Sequence, residues 1–335
     1  MCARGRLPVI LAAVLLTAGA GAGETVEGVC DCRETLGQLA DPDPEVQRLL
    51  AAYNFPADPF PWKLRHLERT ETFDKYELTF PSPTRFAVAE SNTVYGEYYV
   101  PRPVPVGAVG AVVMHILDGR FLVARMVCMQ FAQMGMPCLL VKMPYYGERR
   151  PKGRSLRSIM TEDPRRLFTG MRAAVRDVRR AACWLEQRRE VDAKRLGIVG
   201  VSLGAIGGAL AAGVDPRFNR IALILGGGHP ADIVWHAPET ASVRRRLIET
   251  GQTREKVREI ARGVDPVVFA HRVDRRRVLM INALNDKTIP RECTVALWEA
   301  LGKPRIVWHP AGHYSMSLFI PIILPQAFGF VRDLR

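Results

Sequence analysis

The stretch RLGIVGVSLGAIGG, Arg195–Gly208, decides how the rest of the chain is read. Its first half is an uninterrupted apolar run, the signature of a strand buried on both faces. Its second half is rich in Gly and Ala and reads as a tightly packed helix. Between them stands Gly200-Val201-Ser202-Leu203-Gly204. A Gly-x-Ser-x-Gly run at a strand-to-helix turn holds serine in a strained backbone with its hydroxyl exposed. A side chain at either glycine would clash with the adjoining strand or helix. The competing reading is a packing serine in a nucleotide-binding turn. Against it, the chain has no G-x-x-x-x-G-K-[ST] loop, and no G-x-G-x-x-G follows its first parallel strand.

Outward from this turn the chain alternates. VYGEYYVPR reads as an early antiparallel strand, VGAVVMHIL and MPCLLVKMP as buried strands, and LFTGMRAAVRDVRRAACWLEQR as a long amphipathic helix. RIALILGG, RRVLMINAL and RIVWHPAG supply further strands, with the helix RECTVALWEAL before the last. This order predicts an α/β fold with a mostly parallel central sheet and helices on both faces. The segment 229–276 has no clear strand and reads as a helical insertion over the carboxyl ends of the strands, where ligands bind. Before it all, 23–92 is punctuated by prolines. It reads as an N-terminal extension packed on the main domain, with a short helix at Glu45–Tyr53 and extended pieces at Tyr76–Phe80 and Arg85–Ala89. The main domain then spans 93–335.

A serine nucleophile needs a base, and the base needs an orienting carboxylate. Asp286 follows the strand RRVLMINAL, and His313 follows RIVWHPAG. His309 falls within its strand, and Asp265 and Asp274 precede theirs, at the wrong edge of the sheet. The chain order Ser202, Asp286, His313, together with the Gly-x-Ser-x-Gly turn, resembles the α/β-hydrolase superfamily, in particular esterases of the dienelactone-hydrolase and acetyl-esterase type. The resemblance covers about Thr93 to Arg335. It implies that Ser202 attacks an acyl carbonyl, His313 shuttles the proton and Asp286 holds the imidazole.

The oxyanion formed in such a reaction needs two backbone N–H donors. Leu203, at the helix start, is one. The other belongs to the loop after VGAVVMHIL, which reads His115-Ile116-Leu117-Asp118-Gly119 rather than the His-Gly of lipases; Leu117 is favoured, with Ile116 close behind. MPYYGERRPKGRS, Met143–Ser155, has two readings. Tyr145, Tyr146 and Arg149 line a positively charged mouth for an anionic substrate, or the loop is solvated, with one tyrosine packed and an arginine paired to a carboxylate. His229, after three glycines, lines the pocket or caps a loop.

Composition sets the frame. Of 335 residues, 48% are hydrophobic and 24% charged, so a large core is available and disorder is not the default. The net charge of +13 allows acidic partners, but no Lys/Arg run interleaved with aromatics marks a nucleic-acid groove. Residues 1–22 read as an export signal, with Arg4 and Arg6 before LPVILAAVLLTAGA, which makes the protein secreted or periplasmic. MSLFIPIILPQAFGFV is the other long apolar stretch. Pro321 and Pro325 interrupt it, so no stable membrane insertion is expected after signal cleavage. Cys30 and Cys32 form a C-x-C, Cys128 and Cys183 sit in helical patterns, and Cys138 sits in an apolar strand. No zinc spacing occurs, so no metal or other cofactor is expected. The expected partner is a small-molecule ester. An amide or peptide substrate, or a non-catalytic binding role on the same fold, remains the alternative.

Overall fold

The computed structural model describes residues 23–31, 39–117 and 119–333. The export signal read over 1–22, Cys32 and Asp118 lie outside the described residues. Among those described, ten strands form one sheet: β1 (Thr25–Cys30), β2 (Phe60–Arg69), β3 (Phe73–Pro81), β4 (Thr93–Pro101), β5 (Ala108–Met114), β6 (Cys138–Val141), β7 (Val191–Val201), β8 (Phe218–Ile224), β9 (Val278–Ala283) and β10 (Arg305–His309). The α-helices are α1 (Pro44–Leu50), α2 (Leu122–Gln133), α3 (Leu156–Glu162), α4 (Arg166–Glu186), α5 (Leu203–Val214), α6 (Pro230–His236), α7 (Ala241–Glu249), α8 (Arg254–Ala261), α9 (Pro266–Phe269), α10 (Arg291–Ala300) and α11 (Ile320–Arg332).

In space the strands run β1-β2-β3-β4-β6-β5-β7-β8-β9-β10. From β6 to β10 all neighbours are parallel; β1 to β4 join one another and β6 antiparallel. The parallel strands β5, β6 and β9 bury nearly every residue, as their continuous apolar runs require. Helices α4 and α5 pack together on one face, and α2 and α11 together on the other. The C-terminal stretch Ser315–Arg332 matches a membrane span in length and apolarity (18 residues, mean hydropathy 1.3), yet α11 lays Ile323, Ala327 and Phe328 against the sheet.

The N-terminal segment is not an extension lying on a finished domain. It builds β1, β2 and β3 into the same sheet, with β3 paired to β4 from Phe73↔Pro101 to Pro81↔Thr93. Along β2, Phe60, Trp62, Leu64 and His66 point inward while Pro61, Lys63 and Arg65 face out. Trp62 and Tyr98 then meet Trp184 of α4 edge-on, at 5.8 and 5.0 Å between ring centres, so both parts of the chain share one aromatic core. The helix expected at Glu45–Tyr53 is present as α1 and a following 3-10 turn, with Asp43 capping its first N–H groups. Arg85–Ala89 is irregular rather than extended: the Asn92 side chain bonds both N–H and C=O of Phe86, taking the place of a strand partner.

Register places the site. Met114 lies level with Val141 on one side and Gly200 on the other, and Ala283 lies level with His309. The loops after β5, β7, β9 and β10 therefore emerge along one edge. The chain enters β5, moves to β6 on one side and returns to β7 on the other, which opens a crevice at the ends of β5 and β7. The insertion between β8 and β9 contains helices α6 to α9 and short 3-10 turns, and no strand.

Candidate active site

Ser202 occupies the tip of the turn between β7 and α5, with φ 54° and ψ −116°. A non-glycine residue there costs on the order of 1–3 kcal/mol, which the surrounding packing must hold. Gly200 and Gly204 make that packing possible. A Cβ on Gly200 would sit 2.1 Å from the Gly204 carbonyl oxygen, and one on Gly204 would sit 2.1 Å from that of Met114. Both obstacles are backbone and neither can swing aside. Gly204→Ala is therefore expected to lower stability by about 1–3 kcal/mol, read as a lower denaturation midpoint, and to displace the end of β5 from the start of α5.

The Ser202 hydroxyl oxygen lies 2.9 Å from His313 Nε2, and His313 Nδ1 lies 2.8 Å from Asp286 Oδ2. The other Asp286 oxygen, Oδ1, accepts the N–H groups of Thr288 and Ile289, each at 2.8 Å. The carboxylate is thus fixed from behind while its free edge meets the imidazole. A backbone tether holds the base as well: the Asn285 N–H donates to the Ala311 carbonyl, joining the loops after β9 and β10. The rival residues lie elsewhere. His309 ends β10, buried against the Phe319 ring at 4.8 Å. Asp265 caps α9, and Asp274 caps the 3-10 turn before β9.

The Leu203 N–H, first in α5, has no partner within its helix, and the helix dipole adds to its pull on an anion. The loop after β5 is set by His115. Its Nε2 accepts the Met143 N–H at 3.0 Å, so the proton sits on Nδ1, which donates to the Ile116 carbonyl at 2.7 Å. The Leu117 N–H belongs to the same planar trans peptide as that carbonyl and points the opposite way.

Ser202 and His313 open onto a cavity of about 430 Å³. Its wall is overwhelmingly apolar: Ile116 and Leu117 from the loop after β5, Phe168 and Met171 from α4, Ile233 and Val234 from the insertion, Ile320 and Ile323 from α11.

The loop Met143–Ser155 does not supply a charged mouth. Tyr145 (φ 71°) is turned into the core against Phe86, and burial pushes its hydroxyl up. Tyr146 packs edge-on to His115 at 4.6 Å. Arg149 is fully buried and donates to Asp177 at 2.7 Å and to the Lys142 and Ser91 carbonyls. None of the three lines the cavity. Of the solvated-loop reading, the pairing of an arginine with a carboxylate is present, but both tyrosines pack and Arg149 is buried, because Asp177 on α4 draws the guanidinium inward. His229 is also absent from the wall. Its φ of 53° and bonds from N–H and Nδ1 to Asp265 (3.1 and 2.9 Å) turn it toward a separate cavity beside Arg258 and Arg262, and the Asp265 hydrogen bond raises its basicity.

Among the lining residues not singled out from sequence are Glu239, Thr288 and Tyr314. Glu239, in the 3-10 turn Pro238–Thr240, accepts at Oε1 from the Thr288 hydroxyl (3.0 Å) and from the Tyr314 hydroxyl. Thr288 and Tyr314 adjoin Asp286 and His313 in the chain, a signal that proximity alone would have raised; Glu239 has no local signal.

Known proteins share this fold. An acetyl xylan esterase from Paenibacillus sp. R4 superposes with a TM-score of 0.66 at 18% identity, over 85% of this chain and 93% of its own. Acetyl xylan esterase 1 from Thermoanaerobacterium sp. JW/SL YS485 does so at 0.62 and 17%, over 87% and 96%. The acylaminoacyl peptidase of Pyrococcus horikoshii gives 0.59 at 16%, over 84% of this chain and 47% of its own. These likenesses concern the fold. In sequence, an uncharacterised protein of Mycobacterium tuberculosis (strain H37Rv) is 27% identical over 194 residues, 57% of this chain; the match spans less than half of that relative, 45%. The family described as alpha/beta hydrolase domain containing 18 matches residues 19–226, a span that includes Ser202 and stops before Asp286 and His313. With its ten-stranded sheet and Ser202 turn, the chain belongs to this alpha/beta hydrolase family and has the α/β-hydrolase fold.

Proposed function

We propose that the protein is a serine hydrolase that cleaves carboxylic esters with an apolar acyl part, through an acyl-enzyme intermediate. The observation that carries this reading is the Ser202–His313–Asp286 relay, 2.9 and 2.8 Å, at the wall of an apolar cavity. Ser202 Oγ attacks the acyl carbonyl as His313 Nε2 takes its proton, and Asp286 Oδ2 accepts from Nδ1–H and stabilises the imidazolium. The Leu203 and Leu117 N–H groups receive the oxyanion. His313 then protonates the departing alcohol oxygen. Water, deprotonated by the same imidazole, attacks the acyl-serine, releases the carboxylic acid and restores Ser202. The apolar wall favours a hydrocarbon acyl group. The basic and apolar segment at 1–22 supports export of this hydrolase.

A fluorophosphonate probe tests the nucleophile. Mass mapping is expected to place the adduct on Ser202 and to find none in Ser202→Ala. Folded wild-type protein that takes up no probe would overturn the reading.

A further inference from the structure

Glu239 is the only Asp, Glu, Lys or Arg among the described residues lining the Ser202 cavity. It reaches the cavity from the insertion and is tied to both loops that complete the relay. Its Oε1 accepts from Thr288, whose own N–H is held by Asp286 Oδ1, and from Tyr314, the residue after His313. The Tyr314 hydroxyl, donating to this carboxylate, is pushed up to about 12 and stays protonated across the neutral range. Glu239 Oε2 is buried with no hydrogen-bond partner, and no cation pairs with Glu239 among the described residues. A carboxylate without a counter-ion at an apolar wall is screened far less than one in water.

The side of the cavity on which this charge sits follows from the chemistry. His313 returns its proton to the leaving oxygen, so the alcohol part of the ester lies on the His313 side. Glu239 is bound to the neighbour of His313, and Tyr314, at 70% exposed, places the clasp at the cavity mouth.

We propose that Glu239 determines leaving-group selectivity: its carboxylate beside His313 admits esters of neutral or cationic alcohols and disfavours those whose alcohol carries a sulfonate, phosphate or carboxylate. The proposal rests on the serine-esterase reading of the site. It runs against the sign of the whole chain, whose net +13 would draw anions in from a distance. Local charge decides at the mouth because the separation there is a few ångströms, within a Debye length.

The test uses three butanoate esters that differ only at the far end of a two-carbon alcohol: ethylene glycol (neutral), choline (cationic) and 2-hydroxyethanesulfonate (anionic). In the wild-type protein kcat/KM is expected to fall from choline through glycol to sulfonate, with roughly tenfold or more separating the extremes. Glu239→Gln keeps an oxygen acceptor for Thr288 and Tyr314 and removes the charge. The sulfonate-to-choline ratio should then rise about tenfold, and added salt should cease to affect it. Tyr314→Phe weakens the clasp and keeps the charge, so the ordering should persist. A ratio that is the same in wild type and Glu239→Gln, or an equal fall for all three esters, overturns the assignment and leaves Glu239 as a strap. Wild-type protein that turns over none of the three overturns the esterase reading, and this proposal with it. Fluorophosphonate labelling of that same sample shows whether the nucleophile or only the substrate class was misjudged.

Discussion

Asp286→Asn is expected to lower kcat/KM for the proposed ester hydrolysis by about 10⁴-fold while leaving the fold intact, and the reason lies in the two ends of one carboxylate. Oδ1 accepts two backbone N–H groups, from Thr288 and Ile289, and Oδ2 accepts from His313 Nδ1. In the amide, those two donors hold the remaining carbonyl oxygen in the Oδ1 place. The NH₂ group is then turned onto His313 Nδ1, which must become an acceptor. The ring proton moves to Nε2, and Nε2 can no longer take the proton of Ser202 2.9 Å away. The turn's hydrogen bonds survive, so the thermal midpoint should shift by only a few degrees, and fluorophosphonate labelling should slow in step with turnover. Asp286→Ala loses the turn bonds as well and should fall in both activity and stability. A loss below tenfold in Asp286→Asn would remove Asp286 from the relay.

This site was legible in the sequence because each relay residue carries its own local mark: an apolar strand, then a short turn with the chemistry-bearing side chain just past the strand end. Ser202, Asp286 and His313 share that pattern, and the parallel topology alone brings the strand ends together. What surrounds the relay was not legible, for physical reasons that differ case by case. The charges of Met143–Ser155 read equally well as a solvated mouth, since Asp177, the partner that buries Arg149, lies 28 residues away on α4. Tyr145 turns inward through a positive φ that no residue type announces. His229 answers to Asp265, 36 residues on. Strand β2 was missed although Phe60, Trp62, Leu64 and His66 alternate cleanly, because Pro61 and the charges between them resemble a loop. Short-range periodicity found the elements; long-range ion pairs, which periodicity does not encode, decided which side chains face the cavity.

The same ion pair makes the second strong prediction. Arg149→Met is expected to destabilise the protein by about 3–5 kcal/mol, measured by urea unfolding, because it strands the Asp177 carboxylate inside the protein. Both side chains are fully buried. Among the described residues Asp177 would keep one side-chain hydrogen bond, from the Ser82 hydroxyl at 2.6 Å, and the Lys142 and Ser91 carbonyls would lose their guanidinium donors. Removing the carboxylate too, in Arg149→Met/Asp177→Leu, takes away the uncompensated charge and should recover a large part of the loss, giving a strongly non-additive double-mutant cycle. The orphaned carbonyls set the limit of recovery, at about 1–3 kcal/mol for each that water does not reach. The consequence extends to the site. Arg149 closes the loop that packs Tyr146 on His115, and His115 in turn fixes the peptide that presents the Leu117 N–H. Partial loosening of this loop should therefore lower kcat before it lowers the folded fraction, a split visible when turnover and circular dichroism are followed along one urea titration. Single and double variants with the wild-type midpoint would mean that Arg149 is solvated, and the loop would then have to be redrawn as the charged mouth its sequence resembles.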